Sequence, residues 1–180
     1  PVGVIAAITP FNDPLNLVCH KLGPAFAAGN AVVLKPAEQA PLVAVMLAKL
    51  LLAAGLPAEA LNLLTGRGSD FGDALTGHPD VAMVSFTGGA NVGQAICRSA
   101  GIKRVAMELG GNGPVIVMDD ADVEKAAAAC VSGAFGAAGQ NCIGVQRIYV
   151  HDAIFDGFRT ALVAATAALR VGDPMDPATD

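Results

Sequence analysis

A doubly wound, Rossmann-like α/β domain on a parallel sheet is the fold class this chain predicts, and two observations predict it. Short apolar runs rich in β-branched residues alternate with Ala- and Leu-rich stretches, a pattern of strands and crossover helices that builds a parallel sheet covered on both faces. The composition agrees: 53% hydrophobic residues against 15% charged ones over 180 residues describe a well-buried globular chain rather than a disordered one.

Taken in order, strands are expected at "VGVIAAI" (2–8), "AVVLK" (31–35), "ALNLLT" (60–65), "VAMVSFT" (81–87) and "KRVAMEL" (103–109), with helices near 14–28, 41–54, 69–77 and 89–100 between them. After "ELGGNGP" (108–114) the pattern restarts. A strand "PVIVM" (114–118) meets an Asp-rich cap "DDAD" (119–122), a helix runs to about 134, and a strand "VQRIYV" (145–150) leads into a helix over 152–170. The glycine pair at 110–111 is a natural hinge between two domains. Both ends read as cut, so the chain is expected to be a piece of a longer protein.

Composition also sets function classes aside. A formal charge of −5, one Tyr and no Trp provide no basic stripe or stacking platform for nucleic acid. The most apolar run, "PLVAVMLAKLLLAAGLP" (41–57), is too short and too interrupted for a bilayer span of about 20 residues, and is expected as a buried helix. Cys19, Cys97, Cys130 and Cys142 are irregularly spaced and suggest neither a metal site nor a disulfide framework; reduced thiols in a cytoplasm fit that spacing.

Several residues are placed to carry chemistry. Asn12, in "TPFNDP", follows the first strand, at the carboxyl edge where such sheets bind ligands; its amide suits an oxyanion, and it equally suits a turn. Lys35 and Glu38, in "VVLKPAEQAP", follow the second strand. An acid there grips ribose hydroxyls and repels a 2′-phosphate, favouring NAD over NADP; an exposed ion pair at a helix start is the plain alternative. Of two glycine-rich stretches, "GRGSDFG" (66–72) misses the dinucleotide spacing by one residue, while "FTGGANVG" (86–93) is the better phosphate candidate; both also suit tight turns.

Glu108 ends an apolar strand beside the hinge glycines, as a general base or a surface carboxylate. Cys142, in "GQNCIGVQR" (139–147), is set among Gly139, Gln140, Asn141 and Gly144. Cys97 and Cys130 by contrast read as inert thiols in apolar helix faces. Glycines beside Cys142 permit close approach of a substrate, and the backbone N–H at a nucleophile suits an oxyanion. His20, His78 and His151 have no acidic or thiol companion nearby in sequence and are read as surface or capping residues.

Taken together and in this order, "TPFNDP", "VVLKPAEQAP", "FTGGANVG", "ELGGNGP" and "GQNCIGVQR" resemble the aldehyde dehydrogenase superfamily over essentially the whole chain. The resemblance implies that 1–109 is most of a dinucleotide-binding domain and 110–180 the first part of a catalytic domain. It implies Cys142 as nucleophile, Glu108 as general base and Asn12 as oxyanion holder. It also implies cofactor contacts from Lys35, Glu38, Thr87, Gly88, Gly89, Gly93 and Leu109. NAD-dependent oxidation of a small aldehyde by a cytoplasmic homo-oligomer is the expected activity of the full-length protein, with no metal, nucleic acid or membrane partner. Departures are Phe11 and Gly89, where the family commonly has Trp and Ser; loss of the Ser hydroxyl removes one contact to the pyrophosphate while backbone donors remain. Two alternatives are a CoA-acylating relative, against which Glu108 speaks, and a non-catalytic NAD-binding piece; the isolated chain is expected to be inactive.

Overall fold

Five strands, β1 (Val4–Ile8), β2 (Ala31–Lys35), β3 (Leu61–Leu63), β4 (Val81–Gly88) and β5 (Arg104–Leu109), make one parallel sheet in the order β3-β2-β1-β4-β5 in a computed structural model describing residues 1–180. The chain walks outward from β1 to β3, then returns to β1's other side for β4 and β5. That reversal leaves a switch point between β1 and β4, where ligands bind at the carboxyl edge of doubly wound sheets.

Side chains alternate along each strand, and the two core clusters follow that alternation. Ile5, Ala7, Val32, Leu34 and Leu61 pack with Val18, Leu22 and Ala25 of α1 (Asn16–Ala27) and Ala44 of α2 (Pro41–Ala53). Ala6, Ile8, Val81, Val84 and Phe86 pack with Leu75 of α3 (Gly68–Gly77) and Ile96 and Ala100 of α4 (Ala90–Ala100). Both faces of the sheet are thus covered, two helices to a face.

The chain divides into two compact units, Pro1–Leu109 and Gly110–Asp180. In the second, β6 (Gly113–Val117) pairs in parallel with β7 (Val145–Val150), and α5 (Val123–Phe135) and α6 (Phe155–Ala167) supply the helical layer. Its core holds Val117, Ala127, Cys130 and Phe158. Asp122 caps α5, its carboxylate accepting from the Lys125 N–H at 3.2 Å, as the acidic run predicts.

Three expectations need correction. The 41–57 run is not a buried helix: only Ala44 of α2 is buried, and Leu42, Met46 and Leu50 stand exposed. A helix on one face of a sheet has one side to bury, and Leu47, Ala48 and Leu51 occupy that side. Cys97 is exposed rather than packed, because its neighbours Gly93, Ile96 and Ala100 take the inner stripe of α4. The last helix is shorter than 152–170. It opens with a 3-10 turn at Asp152–Ile154 and ends at Ala167, beyond which the Arg170 N–H and guanidinium are drawn onto the Asp180 carboxylate. No helix is long and apolar enough to cross a membrane.

Candidate active site

The strand register gathers most of the first unit's candidate residues at one edge of the sheet. Lys35 closes β2 opposite Ile8, the last residue of β1, and Phe86 of β4 lies opposite Ile8 on the other side. Thr87 then pairs with Glu108, and Gly88 with Leu109. Residues far apart in sequence therefore share the carboxyl edge because all five strands run the same way.

Lys35 is buried and its Nζ donates to the Pro36 carbonyl at 3.2 Å, whereas Glu38 is exposed and accepts from the Gly68 N–H at 2.9 Å. They do not form the exposed ion pair that one reading of the sequence allowed. Glu38 instead sits at the N-terminus of α3, where a carboxylate is favoured by the helix dipole and by an unsatisfied donor. One carboxylate oxygen, Oε1, takes that bond, which leaves Oε2 as a further acceptor.

At the start of α4, Gly89 is the residue before the first turn, and a Cβ on it would meet nothing within 4 Å. Gly93 is different. A Cβ there would lie 2.9 Å from Leu109 Cδ2 and 3.5 Å from Phe86, so its missing side chain lets Leu109 lie against the helix. The Thr9 hydroxyl, just past β1, is buried without a hydrogen-bond partner, and its N–H donates to the Lys35 carbonyl at 3.1 Å. Open glycine at a helix N-terminus, an orphaned hydroxyl and an acceptor at the second strand fit a dinucleotide: amides for the phosphates, a carboxylate for ribose.

Asn12 lies half-buried in the bend after β1, and Glu108 is exposed at the end of β5. One charged group beside Glu108 escaped the sequence reading. Lys21 of α1 donates from Nζ to Ser85 Oγ of β4 at 2.9 Å. Burial pushes its ammonium down to about 8, against the opposing pull of the Glu108 carboxylate. A lysine within an apolar helix run was visible in the sequence; its partners, 64 and 87 positions along (85 − 21 and 108 − 21), were not.

In the second unit, Cys142 is exposed in a tight turn closed by the Gly144 N–H donating to the Asn141 carbonyl at 3.3 Å. The Cys142 N–H takes no part in that bond. The approach to the turn is strained: Ala137 and Ala138 hold φ of 52° and 56°, values L residues adopt at a cost. Asn141 Nδ2 donates to the Gly136 carbonyl at 3.3 Å and Gln140 Nε2 to the Ala137 carbonyl at 3.1 Å, so the two amides just before the cysteine tie the segment together. Cys130, by contrast, is buried in the core, where burial pushes its thiol up. The two cysteines have opposite environments, as their sequence contexts predict. His78 and His151 are capping residues: their Nδ1 atoms accept from the N–H groups of Asp80 and Ala153, each at 3.2 Å.

The aldehyde dehydrogenase family model matches residues 1–180. The chain is 56% identical over 180 residues to aspartate-semialdehyde dehydrogenase 1 of Pseudomonas canavaninivorans, and 55% identical over 180 residues to 3-sulfolactaldehyde dehydrogenase of Priestia aryabhattai. Each match takes in 100% of this chain, which spans only 38% of the relative's length. Among solved structures, an NADP-dependent enzyme of E. coli superposes with a TM-score of 0.96 at 44% identity, over 99% of this chain and 38% of that one. An indole-3-acetaldehyde dehydrogenase in complex with NAD+ gives 0.96 at 43% identity, over 99% and 37%.

Proposed function

Because this chain belongs to the aldehyde dehydrogenase family, we propose that its full-length protein oxidises a small aldehyde to the carboxylic acid with NAD, through a covalent bond to Cys142. The observation that carries this reading is the setting of Cys142: a thiol exposed in a turn beside Gly144, in a chain whose other second-unit cysteine is buried. Two relatives carry names that specify short aldehydes bearing an acidic group, and a short polar aldehyde is the substrate class proposed here.

In this mechanism the Cys142 thiolate adds to the aldehyde carbonyl. The Cys142 N–H and the Asn12 amide donate to the oxyanion, and a donor of this kind is typically worth about 10²–10³ in rate. Bound NAD would supply the acceptor for the hydride released as the Cys142 thiohemiacetal becomes a thioester. Glu108 then takes a proton from water, which attacks the thioester and frees the acid, a role generally worth about 10²–10⁴. Cysteine suits both halves, since its thiolate is accessible near neutral pH and its thioester is readily hydrolysed.

Lys35, Glu38, Thr87, Gly88, Gly89, Gly93 and Leu109 would hold the cofactor, with 1–109 as the dinucleotide-binding domain and 110–180 as the opening of the catalytic domain. The Glu38 carboxylate supports NAD over NADP, since it opposes a 2′-phosphate. The test is Glu108→Gln in the full-length protein. A burst of NADH followed by stalled turnover is expected; an unchanged steady-state rate would remove Glu108 from the base role.

A further inference from the structure

The second unit contains a contact that the chemistry above leaves unused. Arg147 lies five positions beyond Cys142 (147 − 142), yet its guanidinium reaches the facing loop: Nε and Nη2 donate to the Asn112 carbonyl at 3.2 and 2.9 Å. The pairing of β6 with β7 explains the reach. Gly113 is opposite Val145 but Pro114 is opposite Arg147, so Gln146 is an extra residue on β7, a bulge of the kind that re-aims a neighbouring side chain. Tyr149 steadies the group, its ring centroid 6.0 Å from the guanidinium and its hydroxyl accepting from Nη1 at 3.4 Å.

The carbonyl held by Arg147 belongs to a loop pressed onto the cysteine turn. A Cβ on Gly111 would lie 3.0 Å from the Cys142 carbonyl oxygen, and one on Gly113 would lie 2.8 Å from that of Gly144. Backbone therefore packs on backbone on both sides of Asn112, with no flexible side chain between to absorb a shift. We propose that Arg147 is a positioning residue for the Cys142 turn: by gripping the Asn112 carbonyl it holds the Gly110–Gly113 loop against the turn and fixes where the Cys142 backbone points. Two charge-assisted bonds from one planar fork fix orientation as well as distance, which a single ammonium does not. The inference rests on the nucleophile reading of Cys142.

The test uses the full-length protein with Arg147→Met, beside Cys142→Ala. A displacement of about 1 Å at a reacting group costs about 10² in rate, so the NADH burst of Arg147→Met is expected to slow by about that factor. KM for NAD, the thermal midpoint and the rate of Cys142 alkylation by iodoacetamide, which needs the thiolate but no oxyanion donor, are expected to stay close to wild type. An inert Cys142→Ala with a wild-type burst in Arg147→Met overturns the positioning role alone. Full turnover by Cys142→Ala overturns the nucleophile reading, and this inference with it. If Arg147→Met does not fold, Arg147→Lys decides: a slowed burst supports the grip, and a wild-type burst overturns it.

Discussion

Lys21 Nζ donates to Ser85 Oγ at 2.9 Å, joining α1 to β4 beside the strand that carries Glu108. The ammonium is drawn down to about 8 by burial, with Glu108 acting in the opposite sense. A lysine whose folded pKa lies below its unfolded value of about 10.4 penalises folding while it is charged, fully so below pH 8. The penalty fades as pH rises from about 8 to about 10.4, where the unfolded chain still holds a proton that the folded one has released. Wild type is therefore expected to gain stability relative to Lys21→Met across that window, as read by urea unfolding at a series of pH values. A difference independent of pH would contradict this account of Lys21.

Relief of the strain ahead of the cysteine turn is measurable. Ala137 and Ala138 hold φ of 52° and 56°, which costs an L residue roughly 1–2 kcal/mol, whereas glycine adopts it freely but loses about 0.5–1 kcal/mol in chain entropy. The strain term is the larger. Ala137→Gly and Ala138→Gly are each expected to raise the thermal midpoint of the full-length protein slightly while slowing the NADH burst, because a looser approach orients the turn less well. A lowered midpoint would show that the left-handed geometry is not strained.

Glu38 offers a test of cofactor choice. Glu38→Gln keeps an acceptor for the Gly68 N–H and removes the charge that opposes a 2′-phosphate. Stability is expected to change little, while kcat/KM for NADP relative to NAD rises by roughly tenfold, a shift of about 1.4 kcal/mol. An unchanged ratio would mean that something other than this carboxylate sets the preference.

Much of the fold was legible because strands and helices announce themselves locally. The run "VQRIYV" is β7 to the residue, and the five strands of the first sheet fall within one or two residues of their expected bounds. Burial was harder to read. The apolar run of α2 looks buried in one dimension, but a sheet face covers only one side of a helix, and Leu42, Met46 and Leu50 remain outside. The same holds for Cys97, since one residue's rotation past Ile96 turns it outward. The candidate residues rest on their motifs, which are local in the string. What the string hid were pairings made by topology: Lys21 with Ser85, Glu38 with the Gly68 N–H, Arg147 with the Asn112 carbonyl. Each joins segments that only the completed fold brings together.

The proposed chemistry turns on a covalent bond between substrate carbon and the Cys142 sulfur. Full-length Glu108→Gln protein, mixed with NAD and a short polar aldehyde, quenched in acid and digested, is the sample that reads it by mass spectrometry. The peptide containing Cys142 is expected to carry the mass of the acyl group in near-stoichiometric amount, and to lose it on treatment with hydroxylamine. An unmodified Cys142 peptide in a sample that has released one equivalent of NADH would contradict the account.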